Sequence, residues 1–164
     1  MGNLMALAEV VQQSVPHLQL LVVAGRNEAL RQRMLERTWQ GAVHIYGFVR
    51  NMPQLMRAAD VIITKAGPST LSEALVCGLP IVISGYVPGQ EEGNVRYIVN
   101  HQAGYFLSNL ATELGALLAS RFADDGEGMA ATTLNASALG RPDAAREAAR
   151  LVLGLCPKID AGGD

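Results

Sequence analysis

Short, almost wholly apolar runs alternate with segments of helical period along most of this chain, and few folds tolerate that pattern. Leu18–Ala24, Val43–Phe48, Asp60–Lys65, Leu79–Ser84 and Tyr105–Leu107 read as strands. The apolar ones lack the in–out alternation of a half-exposed strand, so both faces of the sheet must be covered. Residues 3–14 read as a helix with Leu4, Leu7, Ala8 and Val11 on one face, ended by Pro16. Asn27 caps a helix over 28–38 with Leu30, Met34 and Leu35 turned inward. Further helices are expected over 53–59, 69–77, 94–100 and 111–122, and from Pro142-Asp143 to about Leu155. The alternation predicts an α/β domain: a doubly wound parallel sheet with helices on both faces. Residues 124–141 are rich in small and polar types without clear period and are expected to be a flexible loop; the tail 157–164 is expected to be disordered.

The helix at residues 3–14 precedes every predicted strand. In the common doubly wound order 3-2-1-4-5-6 the first strand is central. The expectation is a sheet without that strand, leaving unpaired edges at 18–24 and 60–65.

One stretch concentrates polar chemistry. The strand 60–65 ends in Ala66-Gly67-Pro68-Ser69-Thr70, where a helix opens and carries Glu73 one turn in. The next strand, 79–84, ends in a polar loop holding Gln90, Glu91, Glu92 and Asn94. Ligands of parallel α/β sheets bind outside the carboxyl ends of the strands, and both loops lie there. A helix start with free N–H groups suits a diphosphate, and a cluster of carboxylates and amides suits sugar hydroxyls. The combination points to a nucleotide-sugar site.

Composition narrows the alternatives. A chain of 164 residues forms one domain with about one core. Net charge is −2 with no long basic run and aromatics are 5%, which argues against nucleic acid as a partner. Cys77 and Cys156 fit no metal or redox spacing, Cys77 reads as a small buried residue, and a reducing cytoplasm is inferred. No apolar stretch approaches the ~20 residues of a membrane span, and no signal-peptide pattern opens the chain. His17, His44 and His101 lie outside the marked loops and have no zinc spacing. The Glu91-Glu92 pair alone offers a thin cation ligand set. No metal or cofactor is expected. The sequon Asn135-Ala136-Ser137 is read as a chance match.

Gly47-Phe48-Val49-Arg50-Asn51-Met52, Thr64-Lys65-Ala66-Gly67-Pro68-Ser69-Thr70-Leu71-Ser72-Glu73-Ala74, Pro88-Gly89-Gln90-Glu91-Glu92-Gly93-Asn94 and Gly104-Tyr105-Phe106 together resemble the monogalactosyldiacylglycerol synthases. More broadly the chain is similar to the glycosyltransferase family that includes processive diacylglycerol glucosyltransferases and the peptidoglycan N-acetylglucosaminyl transferase. The resemblance spans residues 1–123, with Met1-Gly2 similar to the tail of a glycine-rich loop. It implies the C-terminal, donor-binding half of a GT-B enzyme, in which two Rossmann-like domains face each other across a cleft. The acceptor domain, and with it the catalytic base, is expected elsewhere, so no catalytic residue is assigned.

By that resemblance Phe48 lies against a uracil ring, the Val49 backbone pairs with its polar edge, and Gln90 and Glu91 contact the sugar, which chooses between galactose and glucose. Met52 packs under the base, while Arg50 and Asn51 are turn residues. Gly67 allows close approach, Pro68 occupies the first turn, and the N–H groups of Ser69, Thr70 and Leu71 form the anion site. The Glu73 carboxylate accepts from two ribose hydroxyls, the other reading being a capping box with Thr70. Asn94 starts the next helix and braces its loop. Lys65 either touches phosphate or lies along the sheet edge.

The implied partners are a UDP-sugar, most simply UDP-galactose, and a diacylglycerol acceptor bound through the other domain. The expected location is cytoplasmic, peripheral to a membrane. The alternatives are a donor subunit that works only with a separate acceptor-domain chain, or a truncated remnant that binds UDP.

Overall fold

Five short strands and eight helices alternate among the described residues of the computed structural model, which are 4–15, 17–122 and 127–155. Pro16 as a helix stop, Met1-Gly2, Cys156 and the tail from Pro157 lie outside them. The order is α1 (Leu4–Ser14), β1 (Leu20–Val23), α2 (Glu28–Leu35), β2 (Val43–Tyr46), α3 (Met52–Arg57), β3 (Ile62–Thr64), α4 (Pro68–Val76), β4 (Ile81–Ile83), α5 (Glu92–Asn100), β5 (Gly104–Phe106), α6 (Leu110–Arg121), a 3₁₀ turn at 127–129, α7 (Ala130–Leu139) and α8 (Ala144–Leu155).

All strand pairs are parallel: β1 with β2, pairing Leu20 with Val43, and β3 with β4 and β4 with β5, pairing Ile62 with Ile81 and Ile81 with Gly104. They form two sheets, β1-β2 and β3-β4-β5, with no hydrogen-bonded neighbour between β1 and β3. The unpaired edges expected at these two strands are present. They border a slot of about 690 Å³ lined by the whole of both.

The alternation of the strands sets the two faces. Ile81 and Ile83 pack into a cluster with Met56 of α3, Leu71, Ala74 and Leu75 of α4, and Ile98 of α5. Val82, pointing the other way, joins Val11 of α1 and Leu114 and Leu118 of α6. Ile81, Val82 and Ile83 are fully buried, each contributing roughly 1.5–3 kcal/mol of apolar burial. A third cluster seats Ala8 of α1 and Met34 of α2 on Val22 of β1.

The start of α2 follows its capping chemistry. Asn27 Oδ1 accepts from the Leu30 N–H at 3.0 Å. Glu28 follows, and hydrogen bonds from Gln32 and then Arg31 hold its carboxyl below the ordinary carboxylate range. α2 is shorter than predicted, stopping at Leu35 with Glu36 as its cap. Leu35, expected inside, is therefore 47% exposed at the end of the helix.

The largest departure is at 124–141, where a loop was expected and α7 forms. Its sequence, AATTLNASAL, shows little amphipathic period because its inward residues are small. Smallness is what lets α7 approach α4: Ala136 is fully buried in the cluster with Leu75, and Thr132 is buried with its Oγ1 3.0 Å from the Tyr105 hydroxyl. Asn135, in the sequon, donates to the Gln102 carbonyl at 3.2 Å. Cys77, expected to be buried, is only partly so, as the C-cap of α4. The last helix forms as expected, but no residue of α8 is buried and Leu151, Leu153 and Leu155 are exposed. Among the described residues no helix is long and apolar enough to cross a membrane.

Candidate functional site

The loops after β3 and β4 are stitched together by main-chain and side-chain bonds. Parallel pairing continues one step past the strands, with the Ala66 N–H donating to Gly85 at 2.9 Å and the Ser84 N–H to Thr64 at 2.8 Å. Asn94, in the first turn of α5, then donates its side-chain amide to the Ala66 carbonyl at 2.8 Å. The start of α4 and the start of α5 are thereby held side by side at the C-terminal edge of β3 and β4. Asn94 braces as expected, although the helix begins two residues earlier, at Glu92 with Glu91 as its cap residue.

At the head of α4, Gly67 is the N-cap residue and Pro68 the first helical one. Pro68 has no N–H to offer, and the Leu71 N–H donates to the Gly67 carbonyl at 3.1 Å. Leu71 therefore leaves the set of anion-binding donors. With Pro68 in the first helical position, the intrahelical ladder begins at the Leu71 N–H. The Ser69 and Thr70 N–H groups remain without an intrahelical partner, and Ser69 is exposed. Gly67 has an ordinary backbone conformation, and a Cβ there would meet nothing nearer than Glu91 Oε1 at 3.8 Å. Neither strain nor packing requires glycine, so its effect is to leave the approach to the Ser69 and Thr70 N–H groups open.

Glu73 is exposed, and its carboxylate makes no hydrogen bond or ion pair. The capping box with Thr70 is not formed, since the start of α4 has no side-chain cap bond. Thr70 and Glu73 both border the slot between β1 and β3. A free carboxylate one turn behind two free N–H groups offers acceptors next to donors, which is the pattern needed by a diol joined to a phosphate.

The loop before α5 is a turn over Val87-Pro88-Gly89-Gln90, closed by the Gln90 N–H on the Val87 carbonyl at 3.1 Å. Pro88 supplies its fixed φ and Gly89 the left-handed φ of 77° that the next position needs. Glu91 does double duty: Oε2 accepts from the Val87 N–H at 2.8 Å, and Oε1 faces Gly67. Glu92 accepts from the Gly89 N–H at 3.3 Å. Gln90 is exposed, with its side-chain amide free. Of the residues expected to contact a sugar, Gln90 is fully available and Glu91 is partly committed to the loop. Lys65 is exposed at the end of β3 without a partner.

Phe48 and Val49 end the β2 arm, and no hydrogen bond ties them to the two stitched loops. The Phe48 ring is 61% exposed, with the Arg26 guanidinium 5.2 Å from its centroid. Arg31, ion-paired with Glu28 at 2.7 Å, lies along Gly47. These two arginines were missed by the reading of the sequence. Arg26 follows β1 at the same strand edge, in Gly25-Arg26-Asn27, where only Asn27 was given a role, as a helix cap. Met52 packs against the α4 cluster and Asn51 is exposed. His17, His44 and His101 are exposed away from these loops, and no group of three His, Cys, Asp or Glu that could hold a metal ion occurs among the described residues.

The arrangement can neutralise an anion at α4, accept from a diol at Glu73 and present a flat apolar ring at Phe48.

The chain is similar to known proteins over most of its length. The model of the glycosyltransferase family 28 C-terminal domain matches residues 3–123. Monogalactosyldiacylglycerol synthase 3 of Arabidopsis thaliana is 41% identical over 133 residues, which cover 81% of this chain and 28% of that protein. The probable monogalactosyldiacylglycerol synthase 2 of Oryza sativa subsp. indica is 42% identical over 126 residues, covering 77% and 27%. The chain thus spans about a quarter of the length of these relatives. Among solved structures, MurG of Acinetobacter baumannii superposes with a TM-score of 0.66 at 18% identity, covering 92% of this chain and 46% of that one. WaaG, a glycosyltransferase of lipopolysaccharide biosynthesis, superposes with 0.62 at 23% identity, covering 93% and 42%. At those identities the two structures speak for the fold alone.

Proposed function

The chain belongs to the glycosyltransferase family 28 C-terminal domain family, and from that premise we propose that it seats a UDP-sugar, most simply UDP-galactose, for transfer to diacylglycerol. The observation that carries the reading is the α4 head: an open Gly67, two free N–H groups at Ser69 and Thr70, and an unpartnered Glu73, all held beside the Gln90–Glu91 loop by Asn94.

In this reading the diphosphate takes the Ser69 and Thr70 N–H groups and hydroxyls. The Glu73 carboxylate accepts from both ribose hydroxyls, with bonds to a charged group contributing roughly 1.5–3 kcal/mol. Phe48 stacks on the uracil, contributing about 0.5–1.5 kcal/mol beyond burial, and Val49 pairs with its polar edge. Gln90 and the free oxygen of Glu91 touch the hexose. The lipid hydroxyl loses its proton to a base outside these residues, its oxygen bonds to the sugar C1, and the C1–O bond to UDP breaks. Negative charge then grows on the diphosphate, where preorganised donors lower the barrier. These residues hold the donor and stabilise the leaving group; they do not move the proton. The donor is bound without a metal or cofactor, and transfer takes place at a membrane surface, where the lipid acceptor resides.

Calorimetric titration of the chain with UDP, UDP-galactose and UDP-glucose tests this. Saturable binding of UDP, tightened by galactose more than by glucose, is expected. No heat up to millimolar UDP would remove the proposal.

A further inference from the structure

Phe48 is the most exposed Phe, Tyr or Trp among the described residues. An exposed ring turns about two torsions, and ordering it when a ligand binds costs affinity. The neighbouring strand end supplies a restraint. Pairing of β1 with β2 continues past the strands, the Ala24 N–H donating to the Tyr46 carbonyl at 2.9 Å. Gly25 and Gly47 then run close together, since a Cβ on Gly47 would lie 3.7 Å from the Gly25 carbonyl oxygen. The next residues on the two arms are Arg26 and Phe48, and the guanidinium lies over the ring, 5.2 Å from its centroid.

The backbone of Arg26 is fixed from behind. The Asn27 N–H donates to the Ala24 carbonyl at 3.3 Å and the Glu28 N–H to the Arg26 carbonyl at 3.1 Å, which ties this turn to the capped start of α2. Glu28, the carboxylate closest in sequence, is already engaged: it accepts from Arg31 at 2.7 Å and from Gln32 at 2.9 Å. Arg31 in turn lies along Gly47, the residue before Phe48. Among the described residues Arg26 therefore makes no ion pair, and its guanidinium meets the Phe48 ring. With one face of that ring covered, its high exposure comes from the rest of it.

We propose that Arg26 is a positioning residue for the nucleobase: its guanidinium holds one face of the Phe48 ring and leaves the other face set for a planar base to stack on. The role rests on the reading of Phe48 as the base platform given above. Arg26 acts through the ring and not as an anion contact, so its effect belongs to the nucleoside and not to the diphosphate. A planar, weakly hydrated guanidinium suits an aromatic face better than the compact ammonium of lysine does. The gain is preorganisation: the ring is ordered before the base arrives, so less affinity is lost in ordering it. For an exposed cation on a ring this corresponds to about two- to fivefold in affinity.

The test is an NMR titration of the full chain, with its phenylalanine rings labelled, against uridine, UDP and inorganic pyrophosphate. Arg26→Ala should weaken uridine and UDP alike by about two- to fivefold and leave pyrophosphate unchanged. It should also lower the order parameter of the Phe48 ring in the ligand-free chain. Arg26→Lys should recover part of the affinity, and in a Phe48→Leu background Arg26→Ala should have no further effect. Thermal melts check that each variant is folded. Additive losses from Arg26→Ala and Phe48→Leu overturn the role, as does an unchanged Phe48 ring. A loss that extends to pyrophosphate overturns it in favour of an anion contact. Tighter uridine binding in Arg26→Ala overturns it too, because the guanidinium would then cover the face that the base needs. A wild-type chain that binds neither uridine nor UDP, with its ring still ordered by Arg26, removes the nucleotide reading itself, and this role falls with it.

Discussion

The side-chain amide of Asn94 meets the main-chain carbonyl of Ala66 at 2.8 Å across 28 positions of sequence, and this bond fixes the spacing of two helix starts. Ala66 is fully buried, so its carbonyl has no water to turn to. Replacing Asn94 with Ala should cost about 1–3 kcal/mol for the unpaired carbonyl. For a chain of this size that lowers Tm by roughly 2–12 °C. Asn94→Asp should do no better, because an ionised carboxylate cannot donate. Thermal melts of the two variants check this, and UDP affinity should fall in both.

Glu73→Gln should leave the melt unchanged, because the carboxylate is exposed and unpartnered. It should weaken UDP about ten- to a hundredfold if the carboxylate bonds both ribose hydroxyls. The wild-type chain should lose as much toward a dideoxyribose analogue, and the variant should lose little more. Equal affinity of variant and wild type for UDP would take the ribose away from Glu73.

Ser69→Ala with Thr70→Ala tests the anion site separately. The two N–H groups remain, so the loss for UDP should be modest, about 1–3 kcal/mol for two hydroxyl bonds. Uridine, which lacks the diphosphate, should bind both proteins alike. An equal loss for uridine and UDP would place the diphosphate elsewhere.

Two glycines make a contrast. Gly78 has φ of 68° and faces Ser137 of α7, so Gly78→Ala strains the backbone and collides with that side chain. A loss of about 1–3 kcal/mol is expected in a denaturant titration. Gly67→Ala has neither problem, so the stability should stay the same while UDP binding weakens.

Because the α4 head supplies donors directly, UDP binding should be the same in EDTA as in magnesium. A strong requirement for the cation would transfer the diphosphate to a metal-assisted site.

Element types were legible where burial is two-sided or a cap is explicit. Three consecutive apolar residues, Ile81 to Ile83, need cover on both faces and have it. Asn27 announces a helix and caps it. α7 was illegible because helical period is read from large apolar residues, and Thr132 and Ala136 are buried through close approach instead. Leu71 was misassigned as a donor because a string such as Gly-Pro-Ser-Thr does not say which residue is the cap. One position of register decides which N–H groups are free. Arg26 was invisible because its partner, Phe48, is 22 positions away on the next strand end.

The absence of any buried residue in α8 bears on how the molecule comes apart. Its 12 residues are near the length, about 12–15, at which a lone helix is marginal in water. Little burial links its opening to that of β4, so heat or denaturant should melt the end of the chain before the interior loosens. A single melting temperature read from total helicity would then average two events, and only a probe placed inside the sheets would report the stability of the α/β body itself.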